Sequence, residues 1–119
     1  MKARDQKVTT TVTRREKKEL DELAQKWGLK SGIILRRLVL FFIQGRISMI
    51  DLIHKTVGFN YNSEENSHSV QVTLSEIEKR EFLIVVQEWD FPVSTILRRL
   101  IRALLSGEIS KNEFWKIEK

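Results

Sequence analysis

The stretch Ile34-Leu35-Arg36-Arg37-Leu38 returns unchanged as Ile96-Leu97-Arg98-Arg99-Leu100. Shifting the chain on itself by that same interval, 62 residues, aligns residues 7–48 with 69–110 without a gap, and 15 of the 42 pairs are identical. Beyond the block itself they are Val8/Val70, Thr11/Thr73, Glu16/Glu78, Lys17/Lys79, Glu19/Glu81, Gln25/Gln87, Trp27/Trp89, Gly45/Gly107, Ile47/Ile109 and Ser48/Ser110. Val12/Leu74, Leu20/Phe82 and Val39/Ile101 are conservative exchanges. A gapless match with both tryptophans in register reads as an internal duplication. Each copy is then one small unit that buries its apolar face against the other.

Read together, the two copies give one pattern. Val8, Thr10 and Val12, and then Val70, Val72 and Leu74, alternate with polar residues, and β-branched side chains at period two argue a short strand. Thr13-x-x-Glu16 and Ser75-x-x-Glu78 are capping boxes that start a helix. Its apolar stripe is Leu20, Leu23, Ala24 and Trp27 in one copy and Phe82, Val85, Val86 and Trp89 in the other, at the i, i+3, i+4, i+7 spacing of one helical face. Gly28 stops the first of these helices, and Asp90-Phe91-Pro92 the second. A further helix is predicted over residues 31–44 and 93–106, each ended by a glycine, Gly45 or Gly107. Ser48-x-x-Asp51 and Ser110-x-x-Glu113 then open a last short helix, with Leu52/Phe114 and Ile53/Trp115 as anchors.

These elements divide the chain into a basic arm (1–6), a first repeat with its short third helix (7–55), a linker (56–68) and a second repeat with its own third helix (69–119). The linker is polar and rich in Asn and Ser. Thirteen residues reach about 43 Å at roughly 3.3 Å each, enough to lay the second strand antiparallel to the first. One strand by itself leaves backbone N–H and C=O groups without partners, at about 1–3 kcal/mol each where buried. Two copies solve this by pairing their strands into a ribbon and crossing their second helices beneath it. The expected fold is mainly α with a small β ribbon.

The composition narrows the functional class. The chain has 119 residues, 41% of them hydrophobic and 31% charged, which suits a folded domain. It has no cysteine, which excludes disulfides and thiolate metal sites and fits an intracellular, cytoplasmic protein. The longest apolar run, Leu38–Ile43, is too short to span a bilayer, and the first residues, MKARDQK, lack the apolar segment of a secretory signal. The net charge of +5 fits either a polyanionic partner or plain solubility.

Strand, helix, helix, with the ribbon made between two copies, resembles the ribbon-helix-helix DNA-binding regulators of the Arc, MetJ and CopG type. The resemblance covers residues 7–45 and 69–107. It rests on VQVTLSEIEKREF (70–82), similar to the family's alternating strand, cap and first helix, and on GLKSGIILRRL (28–38), similar to its turn and second helix. Thr13 and Ser75 stand where the family usually has proline, and Asp90 where a glycine is common. The resemblance implies tandem repeats forming an intramolecular pseudo-dimer with one two-stranded antiparallel sheet, in the manner of single-chain viral or plasmid regulators.

It also implies which residues touch DNA. The outward strand positions are Lys7, Thr9 and Thr11 on one strand and Ser69, Gln71 and Thr73 on the other. A two-stranded ribbon fits the major groove, where Lys donates to guanine, Gln pairs with adenine, and Thr bonds to a base or touches a thymine methyl. The alternative is an ordinary half-solvated strand. The start of each second helix is expected to hold phosphate on its free N–H groups: Lys30, Ser31 and Gly32, then Val93, Ser94 and Thr95 after Pro92. Plain helix capping explains Ser31 equally well. Lys2 and Arg4 in the arm add phosphate contacts. Residues 7–55 hold eleven Lys and Arg against five Asp and Glu, and residues 69–117 hold seven against seven, so an asymmetric DNA site is expected.

Two features of the sequence each admit two readings. Arg36, Arg37, Arg98 and Arg99 flank the buried stripe of Leu35, Leu38, Val39 and Phe42 in the first copy and its counterpart in the second, and reach either phosphate or first-helix acids such as Glu22 and Glu88. Leu40 and Phe41, matched by Arg102 and Ala103, are either core against the third helix or a surface for self-association on DNA. Isolated His54 and His68 suggest neither catalysis nor a metal site, and there is no phosphate-binding glycine loop, so no enzyme activity, cofactor, small-molecule ligand or membrane partner is expected. The favoured reading is a sequence-specific regulator of transcription that binds double-stranded DNA. An antitoxin-like interaction module using Asn112 to Lys119, or a non-specific DNA-packaging protein, are the alternatives.

Overall fold

The computed structural model describes residues 6–56, 66–110 and 114. In chain order the elements are β1 (Gln6–Thr13), α1 (Arg14–Trp27), α2 (Ser31–Ile43), α3 (Met49–Lys55), β2 (Asn66–Leu74), α4 (Glu76–Gln87) and α5 (Val93–Leu105). The described residues are mostly helical, with five helices and one two-stranded antiparallel sheet.

β1 and β2 pair directly. Lys7 lies opposite Thr73, Val8 opposite Val72, Thr9 opposite Gln71, Thr10 opposite Val70 and Thr11 opposite Ser69, with an irregularity after Val12. One face of this ribbon is core. Val8, Thr10 and Val12 are buried, as are Val70, Val72 and Leu74. α5 packs against β1 and α2 against β2, and α2 and α5 also pack on each other. Leu35, Leu38 and Val39 of α2 and Leu97, Leu100 and Ile101 of α5 are all at most 1% exposed. Burial of each such side chain stabilises the fold by about 1.5–3 kcal/mol.

Both strand–helix junctions carry complete capping boxes. Thr13 Oγ1 accepts from the Glu16 N–H (3.0 Å), and Glu16 Oε1 accepts from the Thr13 N–H (2.9 Å). Ser75 and Glu78 repeat this at 3.1 and 2.9 Å. α1 ends on Gly28, whose φ of 69° is left-handed. In the other copy the counterpart is Asp90, with φ 59°. The helix before it stops earlier, at Gln87, so Trp89 falls beyond α4 and is 38% exposed rather than on the buried stripe. Trp27, the last residue of α1, stacks on Phe114 with ring centroids 5.3 Å apart.

Several sequence expectations need correction. β2 begins at Asn66, inside the stretch assigned to the linker. Thr56 is not linker either: it is buried, caps α3, and donates from Oγ1 to the Leu52 carbonyl (2.7 Å). At the start of α3 the Ser48 side chain accepts from the Asp51 N–H, one of the two bonds of a capping box. The second copy's third helix lies outside the described residues apart from Phe114, which is buried and donates its N–H to the Ser110 carbonyl (3.0 Å), as Leu52 does to Ser48 (2.9 Å). Trp115 is also outside them. Leu40 and Phe41 are 8% and 2% exposed, so they are core, and a self-association surface cannot be built from them.

Candidate nucleic-acid interface

The face of the ribbon opposite the core is polar. Lys7, Thr9, Thr11, Ser69 and Gln71 are exposed, and Thr73 is half-buried. The alternation that buries Val8 and Val72 therefore turns their neighbours outward, as the two-residue period of a strand demands. The register makes three cross-strand pairs of these six residues: Lys7 with Thr73, Thr9 with Gln71, and Thr11 with Ser69. Outward positions two residues apart lie about 6.6 Å apart along a strand. That is close to two base-pair steps of about 3.4 Å. The face offers an ammonium, four hydroxyls and one carboxamide, all groups that hydrogen-bond to base edges.

The starts of α2 and α5 present the second group of candidate residues. The N-caps are Lys30 and Pro92, in extended conformation, and neither makes a side-chain capping bond. Ser31 is therefore the first helical residue and not the cap, which removes the plain capping explanation for it. Lys30 and Gly32 are exposed; Ser31, Val93, Ser94 and Thr95 are half-buried. The Ile33 and Thr95 N–H groups turn back to the Lys30 and Pro92 carbonyls at 3.0 and 3.1 Å. The preceding N–H groups, of Ser31 and Gly32 and of Val93 and Ser94, have no acceptor within a helix, by the geometry of any helix start. Thr10 fixes one of these starts to the ribbon: its buried hydroxyl donates to the Ser94 carbonyl at 2.7 Å. Lys2 and Arg4 lie outside the described residues.

The arginines divide by partner. Arg36 holds Glu78 in a two-pronged pair, with Nε donating to Oε1 at 3.2 Å and Nη2 to Oε2. Arg98 donates to Glu16 Oε1 at 3.3 Å, and both side chains are almost fully buried, at 6% and 5% exposed. These two pairs correspond under the 62-residue shift, and each joins a helix of one copy to the cap of the other. Arg102 adds a second cation to Glu16 at 3.6 Å; its counterpart is Leu40. Arg99 donates to Thr56 Oγ1 at 2.6 Å. Arg37 is half-buried. The acids engaged are Glu16 and Glu78, not Glu22 or Glu88, and a buried Arg98 cannot reach a phosphate. The sequence held one signal for this: all four partners belong to pairs identical between the copies.

Among the described residues no group of three His, Asp or Glu side chains could hold a metal ion, and no helix is long and apolar enough to cross a membrane. A surface hollow of about 430 Å³ beside Leu83 and Ile84 of α4, lined also by Gln6 of β1, is open. No protein-family model, curated protein or solved structure matches the chain.

Proposed function

We propose that the chain is a sequence-specific regulator of transcription that binds double-stranded DNA, inserting its β ribbon into the major groove. In this reading the fold is a tandem ribbon-helix-helix, and the two halves act as an intramolecular pseudo-dimer. The observation that carries the proposal is the ribbon itself: one face buried, the other presenting Lys7, Thr9, Thr11, Ser69 and Gln71 to solvent, with Thr73 at its edge. The pseudo-dimer draws support from the register, which sets Thr9 opposite Gln71, the residue 62 positions on. The reciprocal pairs Arg36–Glu78 and Arg98–Glu16 support it too. Uncapped starts of α2 and α5 would hold the backbone phosphates that fix the ribbon's depth in the groove.

Binding needs no chemistry on the DNA. Affinity would come from phosphate contacts and counterion release, and selectivity from the ribbon's base contacts. The test is repeated selection from a randomised duplex pool in the presence of excess competitor DNA. The expected result is one enriched sequence, bound at least ~10³-fold more tightly than competitor. Binding that disappears into competitor and depends on salt alone would make the protein a non-specific DNA binder. No binding to duplex DNA at low salt would refute the proposal.

A further inference from the structure

The two ends of the ribbon's outer face are not alike. Lys7 stands beside Thr73 at one end, Ser69 beside Thr11 at the other, and Thr9 faces Gln71 between them. Thr11 and Thr73 are equivalent in the repeat, and so are Lys7 and Ser69. The ends thus share a threonine and differ in a single side chain. Lysine is a donor only, with a long reach, and in the major groove it selects the paired acceptors O6 and N7 of guanine. A serine hydroxyl both donates and accepts, so it discriminates weakly.

The flanks differ in the same sense. Thr10, one residue from the Thr11–Ser69 pair, is bonded to the start of α5, where Pro92, Val93, Ser94 and Thr95 carry no charge. α2 packs against the other strand. By the repeat correspondence its start carries Lys30 where that of α5 carries Pro92.

We propose that the protein takes a non-palindromic duplex site in a single orientation, and that Lys7 sets that orientation by selecting guanine at its end of the ribbon. This rests on the reading of the ribbon as the face that meets DNA. The full chain and its Lys7→Ser and Ser69→Lys variants are each used to select sites from a randomised duplex pool, with far-UV circular dichroism to check the fold. The wild-type chain enriches sites with the required guanine on one side only. Replacing that guanine weakens wild-type binding about tenfold and Lys7→Ser binding by less than about twofold. Ser69→Lys, which makes the two ends alike, enriches guanine on both sides of a common centre. A palindromic wild-type consensus, or a Lys7→Ser consensus unchanged from wild type, overturns the orientation proposal and leaves DNA reading by the ribbon intact. Failure of every form to enrich any sequence overturns both.

Discussion

Glu16 caps one helix and pairs with two arginines of another. Its Oε1 accepts from the Thr13 N–H and from Arg98, while Arg102 approaches Oε2 at 3.6 Å. At 4% exposure, loss of its carboxylate would leave the guanidinium of Arg98 buried without its charge partner. Breaking a buried pair from one side costs about 3–5 kcal/mol. Glu78 does the same work in a wetter place, with its side chain 14% and that of Arg36 21% exposed. Glu16→Ala is therefore expected to lower stability by about 3–5 kcal/mol in urea denaturation, and Glu78→Ala by about 2 kcal/mol. Equal losses would contradict the account. This asymmetry was hidden in the sequence. Leu35, Leu38 and Val39 announce a buried stripe by spacing alone, but the burial of Arg98 depends on a carboxylate 82 residues away. Local periodicity carries no information on such a partner.

At the scale of single elements the sequence was most legible, because caps and turns are decided by neighbouring residues. Thr13-x-x-Glu16 and Ser75-x-x-Glu78 form the capping boxes their spacing suggests. The exception is instructive. Trp89 matches Trp27 in sequence and falls on the seven-residue stripe, yet α4 stops at Gln87 and leaves it outside. The left-handed residue of this turn is Asp90, where the first copy has Gly28. A side chain Cβ at Gly28 would meet nothing within 4 Å, so substitution there costs backbone strain only. Gly28→Ala is expected to destabilise by about 1 kcal/mol. Asp90→Gly exchanges left-handed strain for a larger unfolded-state entropy, and should change stability by less than about 0.5 kcal/mol. Thermal or urea melts of both variants check the pair. A Gly28→Ala protein as stable as wild type would mean that this φ is not required.

Over the whole molecule, each half supplies what the other lacks. The ribbon takes one strand from each, α5 covers β1, α2 covers β2, and the caps of α1 and α4 are closed by arginines of the opposite half. The antiparallel ribbon could be read from the sequence, since it follows from two stretches of period-two alternation. The use of Leu40 and Phe41 could not, because an apolar excess on a helix looks the same whether it meets core or a second molecule. Burial places them in the core, while Arg102, the counterpart of Leu40, turns to Glu16. The candidate DNA-reading residues were legible for a simpler reason: fixing which strand positions are buried fixes which are not. The central claim is that this outward face reads sequence. Its most direct test compares the wild-type chain with a Lys7→Ala, Thr9→Ala, Thr11→Ala, Gln71→Ala variant on the selected duplex and on competitor DNA. These side chains are exposed, so the variant should keep its far-UV circular dichroism. It is expected to lose its preference for the selected duplex, by at least ~10²-fold, while its weak, salt-dependent binding to competitor persists. A folded variant that retains the wild-type preference would contradict the account.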